Sequence, residues 1–207
     1  MSKRALCTQC KYPLKTCVCE EVSLCVNKLK VIILQDKNET KNAKNTVRLL
    51  ELSLSNIEVI QSDNTEEIRR LALKCEQHPD SYALFFPSAN SRAFEQGALV
   101  PEGVKPREII NQAKCVTNLI FLDGTWRKAK RLYLSHDWLN KIPSLHFEEK
   151  LIGKYRIRKT GIENGLSTLE AVSYVLHKSE ELDIQPLKDL MEKMQSFWPH
   201  AKGGLPE

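Results

Sequence analysis

The chain has 207 residues, 42% hydrophobic and 28% charged, which excludes disorder over most of its length and suits one domain with a small appendage. No apolar run approaches the ~20 residues of a membrane span, and the charged N-terminus MSKRALCTQC lacks an apolar h-region, so neither a span nor a secretory signal is expected and the cytoplasm is the default compartment. Lys and Arg outnumber Asp and Glu 31 to 26, a net charge of +5 that permits a nucleic-acid partner without demanding one.

Seven cysteines, an odd number, argue for metal binding or buried thiols rather than a disulfide framework. Cys7, Cys10, Cys17 and Cys19 follow the pattern C-x2-C-x6-C-x-C in a stretch with little apolar content. Close pairs of thiolates suit a tetrahedral ion, and a metal would replace the missing core, so a structural Zn2+ is expected. Residues 1–27 are read as a four-cysteine zinc knuckle and residues 28–207 as the main domain. Cys25, Cys75 and Cys115 lie in apolar contexts and read as buried thiols.

From residue 28 strand-like and helix-like segments alternate. Residues 29–34 (LKVIIL) read as a buried strand, and residues 42–54 as a helix with Val47, Leu50 and Leu54 on one stripe. A short strand follows at 57–60, a helix at 66–75, and a buried strand at 82–86 stopped by Pro87. Residues 88–91 read as a loop with a helical turn after it. Residues 117–122 (TNLIFL) form another buried strand running into Asp123-Gly124, and 125–134 a helix. Short irregular strands are expected across 144–157, and helices at 166–176 and 187–197. Strands buried on both faces and alternating with helices predict an α/β fold with a mostly parallel sheet flanked by helices.

Five segments beyond the cysteines could carry chemistry. Asp123-Gly124-Thr125-Trp126 joins a strand end to a helix, where open α/β sheets bind ligands; Asp123 or Thr125 could equally cap that helix. Ser167 and Glu170 in LSTLEA fit a capping box, and the same helix start could also receive a ligand carboxylate. Arg127, Lys128 and Arg131 share one helix face, with Trp126, Ala129 and Tyr133 predicted on the opposite, buried stripe. Tyr155-Arg156-Ile157-Arg158-Lys159 adds a second basic run; either run could be a solvated face or a phosphate contact. Asn45-Thr46-Val47-Arg48 reads first as helix-start chemistry. The sequence lacks G-x-G-x-x-G, G-x-x-x-x-G-K-[ST] and G-x-S-x-G, so the dinucleotide fingerprint, the P-loop and the serine hydrolase elbow have no support.

CTQC and CVC, NTVRLL, LFFPS, LDGTW, YRIRK and LSTLEA together, in this order, resemble the DTW-domain family of tRNA-uridine aminocarboxypropyltransferases. The resemblance covers residues 7 to about 176. It implies a SPOUT-like fold with a C-terminal trefoil knot, S-adenosylmethionine as donor, and transfer of its 3-amino-3-carboxypropyl group to N3 of a tRNA uridine, in bacterial members a variable-loop position. It implies catalytic roles for Asp123, Thr125 and Trp126. Donor contacts are expected from Phe86, Pro87, Ser88, Asp123, Gly124, Arg156, Leu166, Ser167 and Thr168. Contacts to tRNA are expected from Asn45, Arg48, Arg127, Arg131 and Arg158. No membrane partner is implied, and a homodimer is compatible with it. One position departs: the family pattern LLQHP reads ILQDK here, with Asp36-Lys37 in place of His-Pro. An S-adenosylmethionine-dependent RNA methyltransferase and a non-catalytic, zinc-dependent RNA-binding module are the alternative readings.

Overall fold

A computed structural model describes residues 5–96, 116–149, 151–157 and 165–198. Cys115 and Arg158 lie outside them. The chain divides into two compact units, each described by itself. The first comprises Met1–Val26, Lys41–Ser55 and Ile152–Glu207; the second comprises Asn27–Thr40 and Asn56–Leu151.

The second unit is built on a six-stranded sheet. Its strands are β1 (Lys30–Gln35), β2 (Ile57–Gln61), β3 (Tyr82–Phe85), β4 (Arg92–Ala93), β5 (Asn118–Asp123) and β6 (Ser144–His146), in the order β2-β1-β5-β3-β6-β4. Every pairing is parallel. The apolar runs KVIILQ, YALF and NLIFLD occupy the centre, as expected for strands buried on both faces. Helix α2 (Thr65–Gln77) starts at Asn64, whose side chain accepts from the Glu67 N–H at 3.2 Å. Its buried residues Ile68, Leu71 and Cys75 join Ile32, Leu34, Ile60, Leu84 and Ile120 of the sheet in one core. Helix α3 (Trp126–Leu134) adds Ala129 to that core.

The sheet order locates the site. From β1 the chain moves outward one way to β2, and all later strands lie on the other side of β1. The reversal falls between β1 and its other neighbour β5, and in open parallel sheets ligands bind beyond the carboxyl ends of strands at such a point. Gln35 and Asp123 are paired in register there.

The first unit packs α1 (Val47–Ser53), α4 (Thr168–Glu180) and α5 (Gln185–Ser196) with the N-terminal segment. Leu49, Leu50, Val172, Val175, Leu187, Leu190 and Met194 are fully buried. Helix α1 begins at Val47, five residues later than its periodicity predicts. The Asn42 side chain accepts from the Lys44 N–H and that of Asn45 from the Val47 N–H, so turn chemistry holds residues 42–46 outside the helix. Among the described residues of 144–157 there is one short strand rather than several, and residues 151–157 have no regular structure. The helical turn expected after residue 91 forms at Phe94–Gln96, preceded by β4. Among the described residues no helix is long and apolar enough to cross a membrane.

Candidate active site and metal centre

In the second unit, Asp123 ends β5 and is 6% exposed. Its Oδ2 accepts a hydrogen bond from Gln35 Nε2 at 2.9 Å, and its carbonyl accepts from the Asp36 N–H at 3.0 Å. The carboxylate is thus held at the end of a central strand. Thr125 occupies the N-cap position of α3 without a side-chain capping bond. Gly124 has φ +154°, and a Cβ there would lie 2.9 Å from Lys128 Cβ, so both the turn and the close approach of α3 require glycine.

The sequence departure at Asp36 has a structural explanation. Asp36 is 1% exposed and accepts from Arg131 Nη2 at 2.7 Å and from the Asn38 N–H at 3.1 Å; Lys128 Nζ lies 3.4 Å away. Lys128 also pairs with the buried Glu39 at 2.8 Å. These contacts pin the first two turns of α3 to the loop after β1. Burial pushes the Asp36 carboxyl up, but the Asn38 N–H, Lys128 and Arg131 outweigh it and hold the group below the usual carboxylate range. Its contribution to stability is therefore present above the unfolded-state value of about 3.9 and lost as pH falls through the lower folded value. Asp36→Asn should cost about 1–3 kcal/mol in urea melts at pH 7, and the gap to wild type should narrow as pH falls from neutral through the acid range below about 3.9. A constant gap across that range would mean that packing, not charge, is lost.

The α3 stripe differs from its prediction. Ala129 and Leu132 are buried, but Trp126, the first residue of the helix, is 46% exposed. Its ring lies 6.0 Å from that of Phe86, which stacks on Tyr133 at 4.7 Å. Phe86, Asp123, Gly124, Thr125 and Trp126 are thus brought together. The Phe86-Pro87-Ser88 loop is fixed from below: Ser144 Oγ donates to the Phe86 carbonyl at 2.6 Å, and Ser91 Oγ donates to the Ser88 carbonyl at 2.8 Å. Arg127 is exposed on α3, whereas Arg131, equally exposed, is tied to Asp36. Of Gln35, Asp36 and Glu39, the sequence singles out Asp36 only as a departure from the family pattern, and gives no role to Gln35 or Glu39. A polar residue closing an apolar strand run, as Gln35 does opposite Asp123, was the available signal.

In the first unit the capping box of α4 is complete. Ser167 Oγ accepts from the Glu170 N–H at 3.3 Å, and Glu170 Oε2 accepts from the Ser167 N–H at 2.8 Å. Glu170 does more than cap. Its Oε1 accepts from the Tyr155 N–H at 3.1 Å and from the Lys154 N–H, tying the segment before Arg156 to the helix start. A Cβ at Gly153 would come within 2.9 Å of the Gly165 carbonyl, so the two segments pass backbone to backbone. Glu170→Ala should cost about 1–3 kcal/mol and speed hydrogen exchange at the Lys154 and Tyr155 amides; protection unchanged at both would refute the tie. Leu166, Ser167 and Thr168 flank this box, half-buried, and the Arg156 side chain is exposed.

The four N-terminal cysteines converge. Their sulfurs all lie within 4.8 Å of one another, with Cys7 to Cys19 and Cys10 to Cys17 both at 3.7 Å. Sulfurs about 2.3 Å from a tetrahedral ion stand about 3.8 Å apart, so the four thiols could hold a metal ion. The backbone N–H groups of Cys10 and Gln9 hold the Cys7 thiol down to about 6, which favours the thiolate a metal needs. Lys11, at φ 58°, closes the turn, its N–H donating to the Cys7 carbonyl at 3.1 Å. The next residue, Tyr12, is fully buried and donates to the Asn45 carbonyl at 2.6 Å; the Arg48 guanidinium lies over its ring at 4.7 Å. Asn45 and Arg48 therefore help to seat the knuckle.

The DTW domain family matches residues 4–199. The chain is 26% identical over 190 residues to tRNA-uridine aminocarboxypropyltransferase 2 of Drosophila melanogaster, across 84% of this chain and 66% of that protein. It thus spans just under two thirds of that relative's length. No solved structure matches it. With a family match over nearly its whole length, and with LDGTW set at the switch point of a parallel sheet, the chain belongs to the DTW domain family.

Proposed function

We propose that this protein transfers the 3-amino-3-carboxypropyl group of S-adenosylmethionine to N3 of a uridine in tRNA and releases methylthioadenosine. One observation carries the reading: Asp123, in the family's motif, is a buried carboxylate fixed at the carboxyl end of a central strand. Neutral uracil is a poor nucleophile, so its N3 proton must leave. Asp123 takes that proton as general base. The N3 electron pair forms a bond to the sulfur-bearing carbon of the aminocarboxypropyl chain. The carbon–sulfur bond breaks, and its electrons return to the sulfonium, which departs as the neutral thioether.

Phe86, Pro87 and Ser88, with Gly124, supply the wall and backbone groups against which the donor rests, and Thr125 and Trp126 border the acceptor base. Arg127 offers a phosphate contact, and Arg131 adds positive charge although Asp36 shares it. We read the ion of the four cysteines as a structural zinc, since four protein ligands leave no open position. The SPOUT-type topology with its C-terminal knot belongs to the same proposal; the parallel sheet supports its α/β part.

The test is incubation of the purified protein with S-adenosylmethionine and undermodified tRNA, followed by nucleoside mass analysis. A uridine carrying the aminocarboxypropyl mass, with methylthioadenosine released, is the expected result. A methyl gain with S-adenosylhomocysteine would replace the reading with a methyltransferase, and RNA binding without donor binding would remove catalysis altogether.

A further inference from the structure

We propose that Gln35 is a positioning residue for Asp123: its side-chain amide fixes the carboxylate and keeps it ionised for proton abstraction. The inference rests on the role given to Asp123 above and concerns a residue on a different strand, outside the DGTW motif.

The geometry is specific. Gln35 closes β1 and is 3% exposed. The register of the parallel pair places it beside Asp123, and Nε2 reaches Oδ2 at 2.9 Å. The Gln35 backbone is itself fixed, since its carbonyl accepts from the Ser62 N–H at 2.8 Å. A buried carboxylate tends to regain its proton, because burial disfavours charge, and a hydrogen bond donated to the anion opposes that tendency. An amide suits this task. It does not titrate in the working range, so it remains a donor whether Asp123 is charged or neutral, and the carboxylate can accept and release a proton without losing its anchor. A glutamate at position 35 would do the opposite, because two carboxyl groups about 3 Å apart share one proton.

The acidic side chains after β1 pair with basic ones of α3. Asp36, next along the chain after β1, is paired with Arg131 and approached by Lys128 from α3, and Glu39 in the loop after β1 is paired with Lys128. Arg131 and Lys128, which reach this end of the sheet from α3, are therefore engaged by Asp36 and Glu39, while the Gln35 amide meets Asp123 directly.

The experiment uses the full chain, labelled with carbon-13 at aspartate side chains. The Asp123 signal is assigned by its loss in Asp123→Asn and titrated in wild type, Gln35→Met and Gln35→Glu. Gln35→Met should raise the Asp123 midpoint by about one pH unit or more. It should also lower kcat about 10–100-fold with donor KM within about 3-fold, and move the acid limb of the kcat profile by the same interval as the midpoint. In Gln35→Glu, one carboxyl group of the pair should titrate well above the usual carboxylate range. A purely packing role would lower the melting temperature and leave the Asp123 titration in place, and that result overturns the proposal. If Gln35→Met does not fold, Gln35→Glu, of nearly the same shape, decides by the same titration. The titration needs no substrate. Should wild type form no aminocarboxypropyl uridine, the transferase reading falls, while the Asp123 midpoint still shows whether Gln35 governs that carboxylate.

Discussion

Asp123→Asn should lower the rate of uridine modification by about 10²–10⁴-fold, the range for loss of a general base. The substitution nearly conserves shape. The asparagine carbonyl can still accept from Gln35 Nε2, and the Asp36 N–H still finds the backbone carbonyl of residue 123, so strands β1 and β5 should stay joined. Melting temperature and donor affinity should therefore remain close to wild type while turnover collapses. Single-turnover kinetics with saturating tRNA would read the chemical step directly. A rate within about 3-fold of wild type would take the general base away from Asp123 and return it to solvent or to the RNA.

Removal of the proposed zinc should have the largest effect on the fold. Cys10 and Tyr12 are fully buried on one short loop, and few other apolar residues accompany them. Without an ion that loop holds four thiols together against their own desolvation, which pushes Cys19 up to about 12. Zinc affinity in small Cys sites is folding free energy outright, so Cys10→Ser or chelation should cost upward of about 4 kcal/mol. Elemental analysis should give one zinc per chain. A chelator should lower the melting temperature and open the Tyr12 and Lys11 amides to exchange. A protein free of metal, with a melt indifferent to chelator, would leave the cysteines as thiols packed for their own sake.

The legible parts of the fold were those where a single local rule decides. The runs KVIILQ, YALF and NLIFLD can only be satisfied by burial on two faces, and they form the centre of the sheet. The pairs CTQC and CVC announced the thiol cluster, and S-x-x-E announced the cap on α4. What could not be read depends on partners distant in sequence or on competing local bonds. Val47 starts α1 because Asn45 turns back onto its N–H, a competition that apolar spacing does not register. Trp126 sits on the apolar stripe by periodicity, yet it is the first residue of the helix and 46% exposed, which apolar spacing alone does not register. Asp36 looked like a loss of a family feature. It proved to be the acid that anchors α3 through Arg131, ninety-five residues away. Glu170 was read as a cap, and its second duty toward Tyr155 depends on where residues 153–156 run.

The composition of the first unit bears on the order in which the chain can fold during synthesis. Its knuckle is made first, yet the pocket that takes Tyr12 includes Met194, whose sulfur lies 3.6 Å from the phenol oxygen, and Lys193 pairs with Glu21. At about 5–20 residues per second on the ribosome, the N-terminal loop waits roughly ten to forty seconds for that seat. The sheet strands, all complete by His146, need no such delay for their own pairing. Zinc captured early would hold the four cysteines through this interval, when they are open to oxidation and wrong pairing. A premature stop just before Met194 would therefore strike at the opposite end of the protein: every residue of the knuckle would be present, and the side chain that anchors it would have lost part of its berth.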